Sequence, residues 1–118
     1  MKSLLLLEDD MTYRTVLSGI LEKTYIVYQA NTIAGAIQVL SMKNIDYICS
    51  DYHLPDGIGI QILEYLRNSN KVIPTIIMSA NMTNKMECEA RQFGAVDVIE
   101  KTAWDFLYLI KANFPIFQ

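Results

Sequence analysis

Five short apolar runs alternate along this chain with five stretches whose apolar residues recur at helical spacing. Several runs are apolar throughout, which is typical of strands covered on both faces of a parallel sheet. Such strict alternation requires crossover connections, which are right-handed in nearly all proteins. The pattern therefore predicts an α/β domain in which helices cover both faces of a parallel sheet. The predicted strands are residues 2–7, 25–30, 47–50, 75–78 and 96–99.

The amphipathic stretches predict which side of each helix packs on the sheet. In the first helix, Val16, Ile20 and Leu21 are expected to face the core. Asn31-Thr32 supplies a cap before the second helix, because a side-chain oxygen at that position accepts a free backbone N–H. With 118 residues and no linker or repeat, the chain is expected to form one domain spanning 1–118.

Polar groups follow four of the five predicted strands. The first run leads into Glu8-Asp9-Asp10, and later runs lead into Asp51, Ser79 and Lys101. Because parallel strands end at one edge of a sheet, these groups are expected to lie together, where open α/β sheets place their sites. Clustered acids with one hydroxyl and one fixed cation predict a pocket for a metal ion and a phosphoryl group.

Charge and composition exclude several other classes of function. The net charge is -3 and the chain has no run of Lys or Arg, so direct contact with nucleic acid or a lipid surface is not expected. Cys49 and Cys88 lack metal-ligand spacing, which favours a reduced, cytoplasmic setting. The apolar start of the chain is too short for a signal peptide or a membrane span.

Taken together in their order along the chain, these motifs resemble the receiver domain of bacterial two-component response regulators. The resemblance covers essentially the whole chain. It implies a flavodoxin-like fold with five parallel strands in the order 2-1-3-4-5. The motifs that carry it are Glu8-Asp9-Asp10, the segment 51–59 (DYHLPDGIG), Met78-Ser79-Ala80, the segment 90–95 and Lys101.

The resemblance also implies a chemistry. Asp51 would accept a phosphoryl group from a histidine kinase or a phosphotransfer protein, and Lys101 would contact a phosphoryl oxygen. Ser79 would be the switch hydroxyl that moves to the phosphoryl group and alters an output domain or a downstream protein. This is a signalling domain rather than an enzyme, although it assists its own phosphorylation and dephosphorylation.

The same resemblance implies a Mg²⁺ site, since an all-oxygen set of ligands suits this ion. Asp9 and Asp51 would bind through carboxylates, His53 through its backbone carbonyl and Glu8 through a water molecule. Simpler interpretations remain open for the acids at 8–10 and for His53. The acids at 8–10 could only favour a helix N-terminus, where Asp10 is the expected cap. The imidazole of His53 could face solvent, or it could lie at the mouth of the pocket and control hydrolytic water.

Three features depart from the family pattern, two single positions and the fifth helix. Val98 stands where the family usually has a mobile aromatic ring, which puts the usual output coupling in doubt. Thr102 follows the lysine in place of a proline, so we predict a trans Lys101–Thr102 peptide bond. The fifth helix is unusually apolar. Its core face is predicted to be Phe106, Leu107, Ile110 and Phe114, so that Trp104 and Tyr108 would point elsewhere, either flat on neighbouring side chains or toward a partner such as a second copy.

Two other functions compete with phosphorylation-dependent signalling. A receiver-like interaction module could work without phosphorylation; the residues at 98 and 102 favour it, whereas the intact acids, Ser79 and Lys101 oppose it. A phosphatase of the haloacid dehalogenase type also forms an aspartyl phosphate, but it needs a second Asp two residues after the nucleophile, where this chain has His53.

Overall fold

The computed structural model describes residues 1–117 and contains a five-stranded parallel sheet. Its strands are β1 (Ser3–Leu7), β2 (Ile26–Ala30), β3 (Tyr47–Asp51), β6 (Thr75–Ser79) and β7 (Asp97–Glu100). They lie in the order β2-β1-β3-β6-β7, which is 2-1-3-4-5 when only these five are counted. The predicted fold and strand order are therefore confirmed.

A short antiparallel hairpin that the sequence pattern did not indicate follows β3. Its strands are β4 (His53–Leu54) and β5 (Gly57–Ile58), and His53 pairs with Ile58. With only two residues in each strand, the hairpin is too short to show an alternating pattern.

Five helices connect the strands and cover both faces of the sheet. They are α1 (Met11–Leu21), α2 (Ile33–Met42), α3 (Ile60–Asn68), α4 (Asn84–Gln92) and α5 (Phe106–Asn113). The predicted caps are present. Asp10 Oδ1 accepts the Tyr13 N–H at 2.9 Å, and Thr32 Oγ1 accepts the Gly35 N–H at 3.0 Å. No helix within residues 1–117 is long and apolar enough to cross a membrane.

The three central strands are buried along their whole length, because helices cover them on both sides. One face packs against α1 and α5, and the other packs against α2 and α3. A third cluster lies under α4 and contains Tyr52, Ile77 and Ala90. The core therefore fixes the strand ends, which carry the predicted site.

The prediction for the inner face of α1 was partly wrong. Leu21 is buried as expected, but Val16 and Ile20 are 58% and 37% exposed. Leu17 takes their place in the core. The apolar arc of this helix is wider than the strip that contacts the sheet, so its periodicity could not decide which half turns inward.

Candidate functional site

Four strand ends bring the predicted polar residues to one edge of the sheet. Glu8 follows β1, Asp51 ends β3, Ser79 ends β6 and Lys101 follows β7. Parallel pairing aligns these ends, since Asp51 lies beside Met78 and Ser79 lies beside Glu100. Asp51 and Ser79 are thus the last residues of their strands, whereas the sequence predicted each of them to be the first residue after its strand.

Three carboxylates meet at this edge. Glu8, Asp9 and Asp51 each offer an oxygen within 4.8 Å of the other two. Glu8 is fully buried and Asp51 is 7% exposed, whereas Asp9 is exposed. A group entering from solvent therefore meets Asp9 first, with Asp51 behind it.

Lys101 forms ion pairs with two of these acids. Its Nζ donates to Asp51 Oδ2 at 2.9 Å and to Glu8 Oε1. Burial disfavours the charged ammonium, but the hydrogen bonds to Glu8 and Asp51 outweigh it and raise the pKa of Lys101. The lysine is therefore a fixed positive charge in the pocket.

Glu8 is held inside the pocket by two further contacts. Its Oε2 accepts the Asp10 N–H at 3.0 Å, and Arg14 Nη1 donates to the Glu8 backbone carbonyl at 2.8 Å. Burial raises the pKa of Glu8, and the contacts from Lys101 and the Asp10 N–H oppose that rise. Both of its carboxylate oxygens are engaged, so Asp9 and Asp51 are the more open of the three acids.

Ser79 is buried and engaged with its own loop. Its Oγ accepts the Asn81 N–H at 3.2 Å, while its carbonyl accepts the Lys101 N–H at 2.9 Å. The hydroxyl thus lies at the same strand edge as Asp51 and is bonded to the loop that leads into α4. A change of partner at this hydroxyl would be transmitted to that loop.

The structure places the imidazole of His53 in solvent, in β4 rather than in an irregular loop. The ring lies edge-on against the Tyr52 ring, with centroids 4.9 Å apart and an interplanar angle of 73°. The hairpin itself is fixed to α2, because the Asp56 carboxylate accepts the N–H groups of Ile33 at 2.9 Å and Ala34 at 3.1 Å. Asp56 therefore positions the segment that carries His53.

Close backbone approach explains the glycine at the end of this segment. A Cβ on Gly59 would lie 2.4 Å from the Asp51 carbonyl oxygen, and the Gly59 N–H donates to the Tyr52 carbonyl at 2.7 Å. Only glycine lets the chain pass this close to the strand end, so it helps to shape the loop beside Asp51.

Tyr52 makes a contact that sequence reasoning missed. Its hydroxyl donates to Glu89 Oε1 on α4 at 2.6 Å, and the residue is 9% exposed. This hydrogen bond, with burial, raises the pKa of Tyr52 to about 12. Val98 packs at the edge of the same cluster. The residue after Asp51 is therefore bonded directly to α4.

Two predictions about the end of the chain are confirmed. Every peptide bond in residues 1–117 is trans, including Lys101–Thr102. Trp104 and Tyr108 are 95% and 71% exposed, so neither lies flat on its neighbours, although Trp104 lies in the turn before α5 and not on the helix as predicted. The predicted core face of α5 is buried at Phe106, Ile110 and Phe114 and half-buried at Leu107.

The family model of the response regulator receiver domain matches residues 4–111 of this chain. The KDP operon transcriptional regulatory protein KdpE of Escherichia coli (strain K12) is 31% identical over 102 residues, which cover 86% of this chain and 45% of that protein. The transcriptional regulatory protein ZraR of Klebsiella oxytoca is 29% identical over 99 residues, covering 83% of this chain and 22% of that protein. This chain therefore spans less than half the length of these two curated relatives.

Solved structures agree with the sequence matches. The non-phosphorylated HemR receiver domain from Leptospira biflexa superposes with a TM-score of 0.86 at 27% identity, covering all of this chain and 96% of that one. The signal receiver domain of a putative Luxo repressor protein from Vibrio parahaemolyticus gives a TM-score of 0.86 at 25% identity, covering 94% of this chain and 87% of that one.

Proposed function

Because this chain belongs to the response regulator receiver family, we propose that it accepts a phosphoryl group on Asp51 in a Mg²⁺-dependent reaction. The donor would be a histidine kinase or a phosphotransfer protein, and the product would switch an output domain or a downstream protein. The observation that carries the proposal is the pocket in which the carboxylates of Glu8, Asp9 and Asp51 meet and the Lys101 ammonium pairs with Glu8 and Asp51. In this proposal residues 1–118 form a single cytoplasmic signalling domain.

The donor set fits a hard divalent cation. Three carboxylates and one ammonium give the pocket an excess of two negative charges when all are ionised. Two like charges 4 Å apart repel by about 4 kcal/mol at an effective dielectric of 20, so an incoming phosphoryl group would be strongly opposed. Mg²⁺ would offset that repulsion and orient phosphoryl oxygens. Asp9 and Asp51 would hold it through carboxylates and His53 through its carbonyl, with Glu8 acting through water.

The chain's own residues supply the remaining chemistry. An oxygen of Asp51 attacks phosphorus, the bond from phosphorus to the donor's imidazole nitrogen breaks, and an acyl phosphate forms. Lys101 keeps one positive charge beside Asp51, and its ammonium donates to a phosphoryl oxygen in place of the Asp51 carboxylate. The Ser79 hydroxyl leaves the Asn81 N–H and donates to another phosphoryl oxygen, which pulls the loop before α4 toward the pocket.

Intact mass after treatment with a small acyl phosphate and Mg²⁺ tests this function. Wild type should gain the mass of one phosphoryl group, and Asp51→Asn should gain none. Asp105→Asn is the matched control, because it makes the same chemical change before α5, where the side chain makes no capping hydrogen bond. Labelling of Asp51→Asn at the wild-type level would show that Asp51 is not the acceptor.

Two exposed aromatic residues, Trp104 just before α5 and Tyr108 on α5, favour a second candidate, a receiver-like module that binds a partner without phosphorylation. Trp104 and Tyr108 already lie outside the core with Asp51 unmodified. Partner binding that persists in Asp51→Asn, with no mass gain in wild type, would support this candidate. The family match favours either signalling function over a haloacid dehalogenase phosphatase.

A further inference from the structure

Lys101 has a third neighbour besides its two acids. Its Nζ lies 4.5 Å from the centroid of the Tyr13 ring, on α1. A cation within about 6 Å of an aromatic ring face is attracted by the ring quadrupole. We propose that Tyr13 is a positioning residue, whose ring face holds the Lys101 ammonium where the phosphoryl group arrives. This inference rests on the proposed phosphorylation of Asp51.

The two carboxylate partners cannot do this throughout the reaction. Asp51 loses an anionic oxygen when it becomes an acyl phosphate, and both Asp51 and Glu8 belong to the acid cluster proposed to hold the cation. The Tyr13 ring is altered by neither event. A ring face also leaves the ammonium's N–H groups available to donate to oxygen.

Tyr13 is itself held firmly. Its backbone N–H donates to Asp10, the cap of α1, at 2.9 Å. Its ring packs on the core between α1 and α5, beside Leu107. Burial raises the pKa of the Tyr13 hydroxyl to about 12. Lys101 therefore faces a neutral ring in a fixed place, and the contact is not an ion pair with a phenolate.

Lys101 needs such a guide because, apart from its bonds to Glu8 and Asp51, only its backbone is anchored by hydrogen bonds. Its N–H donates to the Ser79 carbonyl at 2.9 Å, after which the chain turns at 101–102. The side chain beyond that point is a flexible four-carbon stem that ends in a compact charge. Without the ring, the ammonium would be free to follow its carboxylate partners when they shift.

The test compares Tyr13→Phe, which keeps the ring, with Tyr13→Leu, which removes it. Tyr65→Leu is the matched control, a half-buried tyrosine of α3 that packs on the other face of the sheet. The initial rate of Asp51 phosphorylation by a small acyl phosphate should fall about threefold to tenfold in Tyr13→Leu. Tyr13→Phe and Tyr65→Leu should stay near wild type.

Two further measurements separate positioning from simple packing. Replacing Tyr13 by phenylalanines of increasing fluorination weakens the ring quadrupole at nearly constant shape, so the rate should fall stepwise. The ring-current shift of the Lys101 Hε protons, read by NMR, should persist in Tyr13→Phe and vanish in Tyr13→Leu. The fluorinated series also tests the role of the Tyr13 ring if Tyr13→Leu does not fold.

A wild-type rate in folded Tyr13→Leu, or a flat response across the fluorinated series, would overturn the inference. If wild type accepts no phosphoryl group at all, the proposed function fails. The ring-current shift of the Lys101 Hε protons then tests by itself whether the Tyr13 ring positions the ammonium. A ring-dependent shift supports this, and the absence of one refutes it.

Discussion

The hydrogen bond between Tyr52 and Glu89 predicts a measurable loss of stability in Tyr52→Phe. The substitution keeps the ring in its cluster and removes only a hydroxyl that donates at 2.6 Å to a carboxylate. Hydrogen bonds to charged groups contribute about 1.5–3 kcal/mol net. Glu89 is half-buried and regains water when it is released. We therefore expect a cost near the lower end, about 1–2 kcal/mol.

Urea unfolding of four proteins measures this contribution: wild type, Tyr52→Phe, Glu89→Gln and the double variant. Because the two residues share one bond, the two losses should not add, and their coupling energy should exceed about 0.5 kcal/mol. Tyr108→Phe is the matched control, since its ring is 71% exposed and should change stability by less than about 0.5 kcal/mol. Additive losses, or an unchanged Tyr52→Phe, would refute the reasoning.

The same contact predicts a pH dependence. The Glu89 hydrogen bond, with burial, raises the pKa of Tyr52 to about 12 from its usual 10.0. A group whose pKa is raised by folding stabilises the folded state fully below its unfolded pKa. The difference in unfolding free energy between wild type and Tyr52→Phe should therefore be constant from neutral pH up to 10.0 and shrink as pH approaches 12. A difference that grew over this range would contradict the assigned donor.

Three further outcomes are expected. Asp9→Ala should weaken Mg²⁺ binding by about tenfold or more. Asp10→Ala should mainly cost about 1 kcal/mol of stability through the lost cap. If a titration showed that Asp10→Ala weakens Mg²⁺ binding more than Asp9→Ala does, the metal ligand would be Asp10 and not Asp9. His53→Ala should change the lifetime of the phosphoryl group more than its rate of formation, because the backbone carbonyl survives, and equal lifetimes would leave the imidazole without a role. Trp104→Ala combined with Tyr108→Ala should abolish self-association, as followed by mass in solution with and without phosphodonor. A wild type that is monomeric in both states would exclude the homodimer.

The fold and the strand-edge cluster were predictable because both depend on short-range patterns. A strand buried on both faces must be an apolar run, and its polar end must lie at the sheet edge. Asp51 and Ser79 were found in this way, each within one residue of its observed place. The Asp10 cap was equally local, since its bond spans only three residues.

Contacts between distant segments were not predictable in the same way. The Tyr52–Glu89 bond joins residues 37 apart, and the Tyr13 ring meets Lys101 only after the sheet has set the spacing of α1 and β7. No sequence pattern around either tyrosine indicates its partner. The prediction of the inner face of α1 was partly wrong for a related reason. Whether Leu17 or Val16 is buried depends on how the helix is rotated about its axis on the sheet.

Polar contacts offer a route from the pocket to the surface of α4, β7 and α5 that needs no mobile aromatic ring at position 98. Tyr52 is bonded to Glu89 of α4 within a buried cluster. Further out, Arg91 of α4 donates to Asp97 of β7 at 3.1 Å, and Asn113 of α5 donates to the same carboxylate at 2.8 Å. Exposed ion pairs contribute about 0–1 kcal/mol, whereas a part-buried hydrogen bond to a charged group, such as Tyr52–Glu89, contributes more. A displacement of α4 would therefore break the outer Arg91–Asp97 contact before the inner Tyr52–Glu89 bond. If α4 moves when Asp51 is phosphorylated, we therefore expect it to separate from β7 at the Arg91–Asp97 contact while Tyr52 still joins it to the pocket.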